Sequence, residues 1–206
     1  TNVMMERLAS IGGPTRGQII RPTDGKEVGS IAFVQCAGSR DENHLPYCSA
    51  VCCLASLKEA IYVRDQYPDS KVYIFYIDMR TPGIYEDFYQ KTQSDESITF
   101  VKGKVSKIEE DLKTKDLIVE ADNILLGEKI RLKVDMVVLA TGMVPVARES
   151  GMTGADIGYD EYGFTVNNQK TGIYAAGVVK RPMDVASSVR SGAGAALKAI
   201  QCIVRK

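Results

Sequence analysis

Four of the five cysteines fall within 18 residues, at Cys36, Cys48, Cys52 and Cys53, and the fifth, Cys202, stands alone near the C-terminus. Thiols packed this densely on one segment read as a metal or redox site. A disulfide scaffold spreads its cysteines across a short secreted chain instead. The spacing is C-x11-C-x3-C-C. If a helix starts at Cys48, that residue and Cys52 share one helical face, and Cys53 lies about 100° round from Cys52. Cys36, at the end of an apolar run, closes a fourth corner. Four thiolates suit a [4Fe–4S] cluster or a tetrahedral zinc. Zinc ribbons separate their paired cysteines by about two to four residues, whereas Cys52 and Cys53 are adjacent. Three other readings stay open: thiols buried as small hydrophobes, a zinc- or dithiol-stabilised interaction module, and a Cys52–Cys53 redox pair. The last is disfavoured by the strained ring that adjacent cysteines form when bridged.

Two polar residues near the thiols bear on the same question. Arg40 would set a cation beside an anionic cluster and raise its potential, or would form a surface salt bridge. His44, the only histidine, sits in a Gly-, Asn- and Pro-rich loop and reads as solvated.

The elements that must position these residues follow from the apolar pattern. Ile31–Cys36 is a short strand-like run, and 38–46 is loop. Apolar residues at helical spacing run from Cys48 to about Asp65, where Tyr67-Pro68-Asp69 ends the helix. Lys71–Ile77 is a β-rich run expected in a buried parallel position, completing a β–α–β unit. A second helix fits Gly83–Asp95 and a strand Ile98–Lys102. Alternating runs at Gly103–Glu110, Asp116–Ala121 and Lys129–Val134 predict an antiparallel meander. Asp135–Ala140 is a buried strand, Gly172–Gly177 another, and Asp184–Val204 a long Ala-rich helix. The expected domains are an irregular arm or linker at 1–30 with one short helical turn at Val3–Leu8, a nucleotide-fold-like domain with the cysteine cluster at 31–136, and a second domain at 137–206.

The stretch Gln35-Cys36-Ala37-Gly38-Ser39-Arg40-Asp41, then Tyr47-Cys48-Ser49, then Cys52-Cys53, closely resembles the signature of the heterodisulfide reductase A family. Within that family, Asp41–Cys48 is most similar to the branch found in quinone-linked, membrane-bound complexes of sulfate reducers. The resemblance covers nearly the whole chain. It implies an α/β fold of the two-dinucleotide-binding, thioredoxin reductase-like kind, with a parallel sheet, helices and a β meander, of which this chain is expected to be the C-terminal part. It implies two cofactors, FAD and a [4Fe–4S] cluster ligated by Cys36, Cys48, Cys52 and Cys53. It also implies oxidoreductase chemistry in which electrons pass on to other redox subunits of a complex.

Val137–Gly142 followed by Pro145, together with Gly172–Gly177 and the helix after it, resembles the flavin-binding segments of two-dinucleotide-binding flavoproteins. On that likeness Ala140, Thr141, Gly142, Gly177, Val178, Asp184, Val185 and Ala186 are the candidate flavin contacts. A helix start at 184–186 would offer unpaired N–H groups to the flavin edge that becomes anionic on reduction. Asp184 also fits a plain N-cap. Val178 departs from the acidic residue usual at its position. No G-x-G-x-x-G follows a strand, so this stretch alone is expected to hold FAD poorly or not at all, and no nicotinamide site is supported. Asp78 and Arg80, after the second strand, read as structural or partner-facing.

Lys+Arg and Asp+Glu are equal at 26 each, so no net field recruits nucleic acid. No apolar run approaches the length of a membrane span. The expectation is a cytoplasmic protein that reaches a membrane only through partner subunits.

Overall fold

The computed structural model describes residues 1–146, 157–167 and 172–204. They form two compact units: Thr1–Tyr47 with Cys52–Gly142, and Cys48–Val51 with Met143–Lys206.

The first unit is built on a sheet in the order β5-β4-β3-β2-β1-β6. The strands are β1 (Ser30–Val34), β2 (Lys71–Tyr76), β3 (Ile98–Glu110), β4 (Leu117–Asn123), β5 (Glu128–Val134) and β6 (Met136–Leu139). β1 lies parallel between β2 and β6, with Ile31 opposite both Val72 and Met136. A strand in that position is covered on both faces, which is why Ile31, Ala32, Phe33 and Val34 are all apolar and all buried. Alternation then sorts the side chains. Ile31, Phe33, Val72 and Ile74 join one core with Leu57, Ala60 and Val63, which follow one face of α2 (Cys52–Gln66). Ala32 and Phe75 point the other way, into a second core with Val119, Ala121 and Val134 of the meander.

β3 runs as one strand where the apolar pattern divides at residue 103. Its first part pairs parallel with β2 and its second part antiparallel with β4. Gly103 stands at the junction because the backbones nearly touch there: a Cβ would lie 1.8 Å from the carbonyl oxygen of Asp122. The second helix is α3 (Tyr85–Gln93). The C-terminal end of α2 is tied down by Arg64, which bonds the carbonyls of Tyr67 and Ser70 and pairs with Asp95 at 2.9 Å.

Three expectations change. Residues 1–30 are anchored rather than an arm: the helical turn expected at Val3–Leu8 is α1 (Asn2–Ala9), which packs on α2, and Met5, Ile19 and Val28 are core residues. Arg21 is buried against Asp24 and Asp116, the latter at 2.7 Å, and so staples this segment to the meander. β6, expected in the C-terminal domain, completes the first unit's sheet through hydrogen bonds to β1. The expected strand at Gly172–Gly177 does not form a ladder. Gly172 and Gly177 take positive φ, of 73° and 66°, the N–H of Ala175 is taken by the side chain of Asn167, and the segment ends in a single 3-10 turn, Gly177–Val179.

In the second unit, Asp160 organises a tight turn by accepting the N–H groups of Tyr162 and Phe164. Helix α4 (Val185–Val204) follows the 3-10 turn. Among the described residues, no helix is long and apolar enough to cross a membrane.

Candidate functional site

The thiols lie on the connection between β1 and α2, with Cys36 just beyond the end of β1. A parallel strand end and the helix that follows it form the face of an open α/β sheet where ligands gather. The backbone here is unusual. Three non-glycine residues of the connection, Cys36, Arg40 and Ala50, adopt left-handed φ of 55°, 54° and 61°. Side chains with a Cβ resist that region, so such conformations persist only where surrounding contacts impose them, and they concentrate at functional sites.

Hydrogen bonds to neighbouring strands supply those contacts. Gln35 extends the β1–β2 ladder through its N–H to the carbonyl of Phe75, at 2.9 Å. The N–H of Ala37 reaches the carbonyl of Ala140 at 3.1 Å, and the Ser39 hydroxyl donates to the carbonyl of Thr141 at 3.2 Å. The loop that carries Cys36 is thereby fastened to Ala140–Gly142, the first part of the predicted flavin half-site. Gly142 itself has φ 99°.

Arg40 and Asp78 join this arrangement from different elements. An Arg40 Nη2 hydrogen bond reaches Asp78 Oδ2 at 2.7 Å. The arginine is held above its ordinary pKa, chiefly by the hydrogen bond to Asp78 and further by Cys36. The backbone carbonyl of Asp78 is 3.8 Å from Cys53 Sγ. Asp78, expected to be structural or partner-facing, thus meets Cys53 through its carbonyl and Arg40 through its side chain. Spacing alone carries no signal of this, since the pair is 38 residues apart. His44 is exposed, as expected, with Nδ1 3.5 Å from Asp41 Oδ1. Asp41 is lowered to about 2, first by accepting the N–H of Asn43 and then by Lys104 and His44.

Cys48 departs from the expected geometry. α2 begins at Cys52, so Cys48 and Cys52 do not share a helical face. The left-handed Ala50 breaks the helix before it can include Cys48. The 48–51 segment belongs to the second unit, where the Cys48 sulfur accepts the N–H of Ala50 at 3.3 Å and the Ser49 hydroxyl accepts the N–H of Met143 at 2.8 Å. None of the five cysteines is in a disulfide. Among the described residues, no three His, Cys, Asp or Glu side chains are gathered closely enough to hold a metal ion. The donor chemistry fits a four-thiolate cluster, as do a strand end and a helix start as its supports.

A cleft of about 270 Å³ opens beside Cys36, lined by Gln35, Gly38, Asp41, Lys104, Lys107 and Leu139. A larger cavity of about 410 Å³, against Glu6, Gly17, Tyr62 and Gln66, includes no cysteine; chemistry rather than size selects the smaller one.

The remaining predicted flavin residues lie in the second unit. Asp184 is the N-cap of α4. Its Oδ1 accepts the N–H of Ser187 at 2.7 Å and its Oδ2 the hydroxyl of Ser187 at 2.9 Å, which lowers its pKa. The N–H groups of Val185 and Ala186 bond to no described acceptor, as expected in a first helical turn. Gly177 sits below this turn, its N–H 3.2 Å from the Ser191 hydroxyl, and Val178 is half exposed. The local geometry fits an electron-rich ligand edge at 185–186, with Asp184 already committed to capping.

The mixed sheet, with its parallel half, its antiparallel meander and its long C-terminal helix, has the fold of the thioredoxin reductases. The Lactococcus lactis enzyme superposes with a TM-score of 0.54 at 22% identity, over 86% of this chain and 54% of that one. The T. acidophilum enzyme gives 0.54 at 20% identity, over 85% and 53%. No family model matches. Among curated proteins, an A-type iron-sulfur subunit of the CoB–CoM heterodisulfide reductase of Methanopyrus kandleri is 40% identical over 97% of this chain. The A-type iron-sulfur subunit of Methanocaldococcus jannaschii is 37% identical over 95%, and a heterodisulfide reductase A-like protein of Archaeoglobus profundus 35% over 98%. The chain is a homologue of the heterodisulfide reductase A proteins across nearly all its residues, and it spans about a third of the length of these relatives.

Proposed function

We propose that this chain is the part of a heterodisulfide reductase A-like oxidoreductase in which a four-cysteine iron–sulfur site adjoins a flavin half-site. Cys36, Cys48, Cys52 and Cys53 are its cluster ligands. Ala140, Thr141, Gly142, Gly177, Val178, Val185 and Ala186 are its flavin contacts, with Asp184 shaping the helix start that presents two of them. The two cofactors, when bound, supply the electron transfer; the chain supplies position and potential. The observation that carries the reading is the pair of hydrogen bonds from Ala37 and Ser39 to Ala140 and Thr141. They fix the loop of one candidate ligand against one candidate flavin segment, a short path suited to electron transfer.

The relatives' names, which call them iron-sulfur subunits, support the cofactor and a multi-subunit setting. The partners are other redox subunits that take or supply electrons. The likeness of Asp41–Cys48 to the quinone-linked branch favours a complex that meets the inner membrane through those partners and a chain on its cytoplasmic side. Domain assignment follows the same reading: the sheet unit is the middle domain, and the part from Met143 onward belongs with the flavin domain.

A second reading, a zinc- or dithiol-stabilised interaction module, draws on the same thiols. The two separate on one experiment. Full-length protein purified anaerobically should be brown, absorb near 400 nm and give an EPR signal on reduction. A colourless protein with one zinc per chain would refute the cluster reading.

A further inference from the structure

We propose that α1 is a pH-responsive strap: Glu59, at the α1–α2 interface, holds α1 in place while protonated and releases it on ionising. The device involves none of the thiols and stands whether or not they carry a cluster.

The interface is built for a neutral carboxyl. Glu59 is fully buried. Its Oε2 accepts a hydrogen bond from Asn2 Nδ2 of α1 at 2.8 Å, and the same amide donates to the Ser56 hydroxyl at 3.1 Å. Its Oε1 has no described partner. Among the described residues Glu59 enters no ion pair; Lys58, beside it in sequence, is paired to Glu6 at 2.7 Å. A carboxylate there is buried with one hydrogen bond and no counter-ion, which is costly. Burial accordingly pushes the carboxyl up to about 7. Among the charges that act on it, Glu6 of α1 adds to the rise, while Lys58 and the ammonium of residue 1 oppose it. Arg7, the other charged residue of α1, is exposed.

Little else holds α1. Its eight residues are too few for a helix that stands alone, and its N-cap makes no side-chain hydrogen bond. Its attachments are Met5 in the core, Asn2 on Glu59 and Ser56, and the exposed Glu6–Lys58 pair, a kind of contact that adds little. Elements fastened at so few points open locally before the whole domain unfolds. Met4, Met5 and Leu8 of α1 also line, with Met136, Val137 and Val138 of β6, a groove of about 260 Å³. β6 is the outer strand of the sheet, so release of α1 bares an apolar sheet edge.

The sign follows from linkage. Docked α1 binds the Glu59 proton more tightly than released α1 does. Docking is therefore strongest below pH 4.5 and weakens as pH rises through about 7. Between those two values, the released-to-docked ratio rises about tenfold from pH 6 to pH 8. Lys58, held above its ordinary value by Glu6, keeps its charge across this range.

The test is hydrogen exchange read by mass spectrometry on full-length wild type, Glu59→Gln and Glu6→Gln at pH 6 and pH 8. Each rate is divided by the intrinsic rate at that pH. In wild type, the amides of residues 5–10 should lose about tenfold of their protection between the two, while those of β1 and β2 keep theirs. Glu59→Gln keeps an acceptor for Asn2 without the charge, and its protection at 5–10 should be the same at both pH values. Glu6→Gln removes the exposed pair and should retain the wild-type slope. Equal wild-type protection at pH 6 and pH 8 would overturn the proposal, as would a wild-type slope in Glu59→Gln or a flat profile in Glu6→Gln. A loss spread evenly over the sheet would do the same, because it reports global rather than local opening. So would a Glu59→Gln protein that fails to fold, since the uncharged side chain is the one docked α1 requires.

Discussion

Replacing Glu59 by glutamine separates the cost of burying a charge from the packing of the helix that bears it. Glu59 lies on the face of α2 that meets α1 and is fully buried. Its Oε2 accepts a 2.8 Å hydrogen bond from the Asn2 amide, which also reaches the Ser56 hydroxyl at 3.1 Å. Its Oε1 has no described partner. Burial pushes the carboxyl from the ordinary 4.5 to about 7. The Asn2 hydrogen bond and nearby Lys58 oppose this, and Glu6 adds to it. An acid whose pKa is raised on folding binds its proton more tightly in the native state. Its contribution is therefore fully present below pH 4.5, declines as pH rises, and is lost above about 7. Across that window, at about 1.4 kcal/mol per pH unit, the loss is about 3 kcal/mol. A glutamine at 59 keeps an acceptor for Asn2 and carries no charge. Urea unfolding of Glu59→Gln and wild type at pH 5 and pH 8 is the assay. The variant should gain up to about 3 kcal/mol over wild type at pH 8 and little at pH 5. A variant equally or less stable than wild type at pH 8 would refute the argument.

Two further substitutions test how the sheet unit is held together. Met5→Ala should destabilise by about 2–5 kcal/mol, because Met5 is a fully buried member of the main core; a loss under about 0.5 kcal/mol, the size of a surface effect, would return residues 1–30 to the status of an arm. Gly103→Ala should cost about 3 kcal/mol or lead to misfolding, since its Cβ would overlap the Asp122 carbonyl; equal denaturation midpoints would show that β3 and β4 separate at little cost there.

The sheet is legible in the sequence because it is a pattern of burial. Ile31–Val34, Lys71–Tyr76 and Met136–Leu139 are apolar runs of strand length, and the alternation at 117–123 and 128–134 has the period of a half-buried hairpin. The same pattern places the start of α2 four residues early, at Cys48 rather than Cys52. Apolar spacing continues through Val51, and nothing in the letters reveals that Ala50 takes φ 61°. Residues 1–30 look irregular because their anchors are single long-range contacts, such as Arg21 with Asp116 and Gln66 with the N–H of Ile19 and the carbonyl of Gly17. The Gly172–Gly177 run has strand composition, but positive φ at its two glycines removes it from any ladder. At the site, the thiols and the Ala140–Gly142 segment are visible as residue types. Their fastening through Ala37 and Ser39, and the link from Arg40 to Asp78, join segments brought together only by the parallel strand order.

The most direct measurement of the central claim is iron per chain in anaerobically purified full-length protein, for wild type and for serine at each of positions 36, 48, 52, 53 and 202 in turn. Four irons of the wild-type total should be lost, with their EPR signal, on substitution at 36, 48, 52 or 53, while Cys202→Ser keeps them. Full iron in folded variants at those four positions would contradict the account.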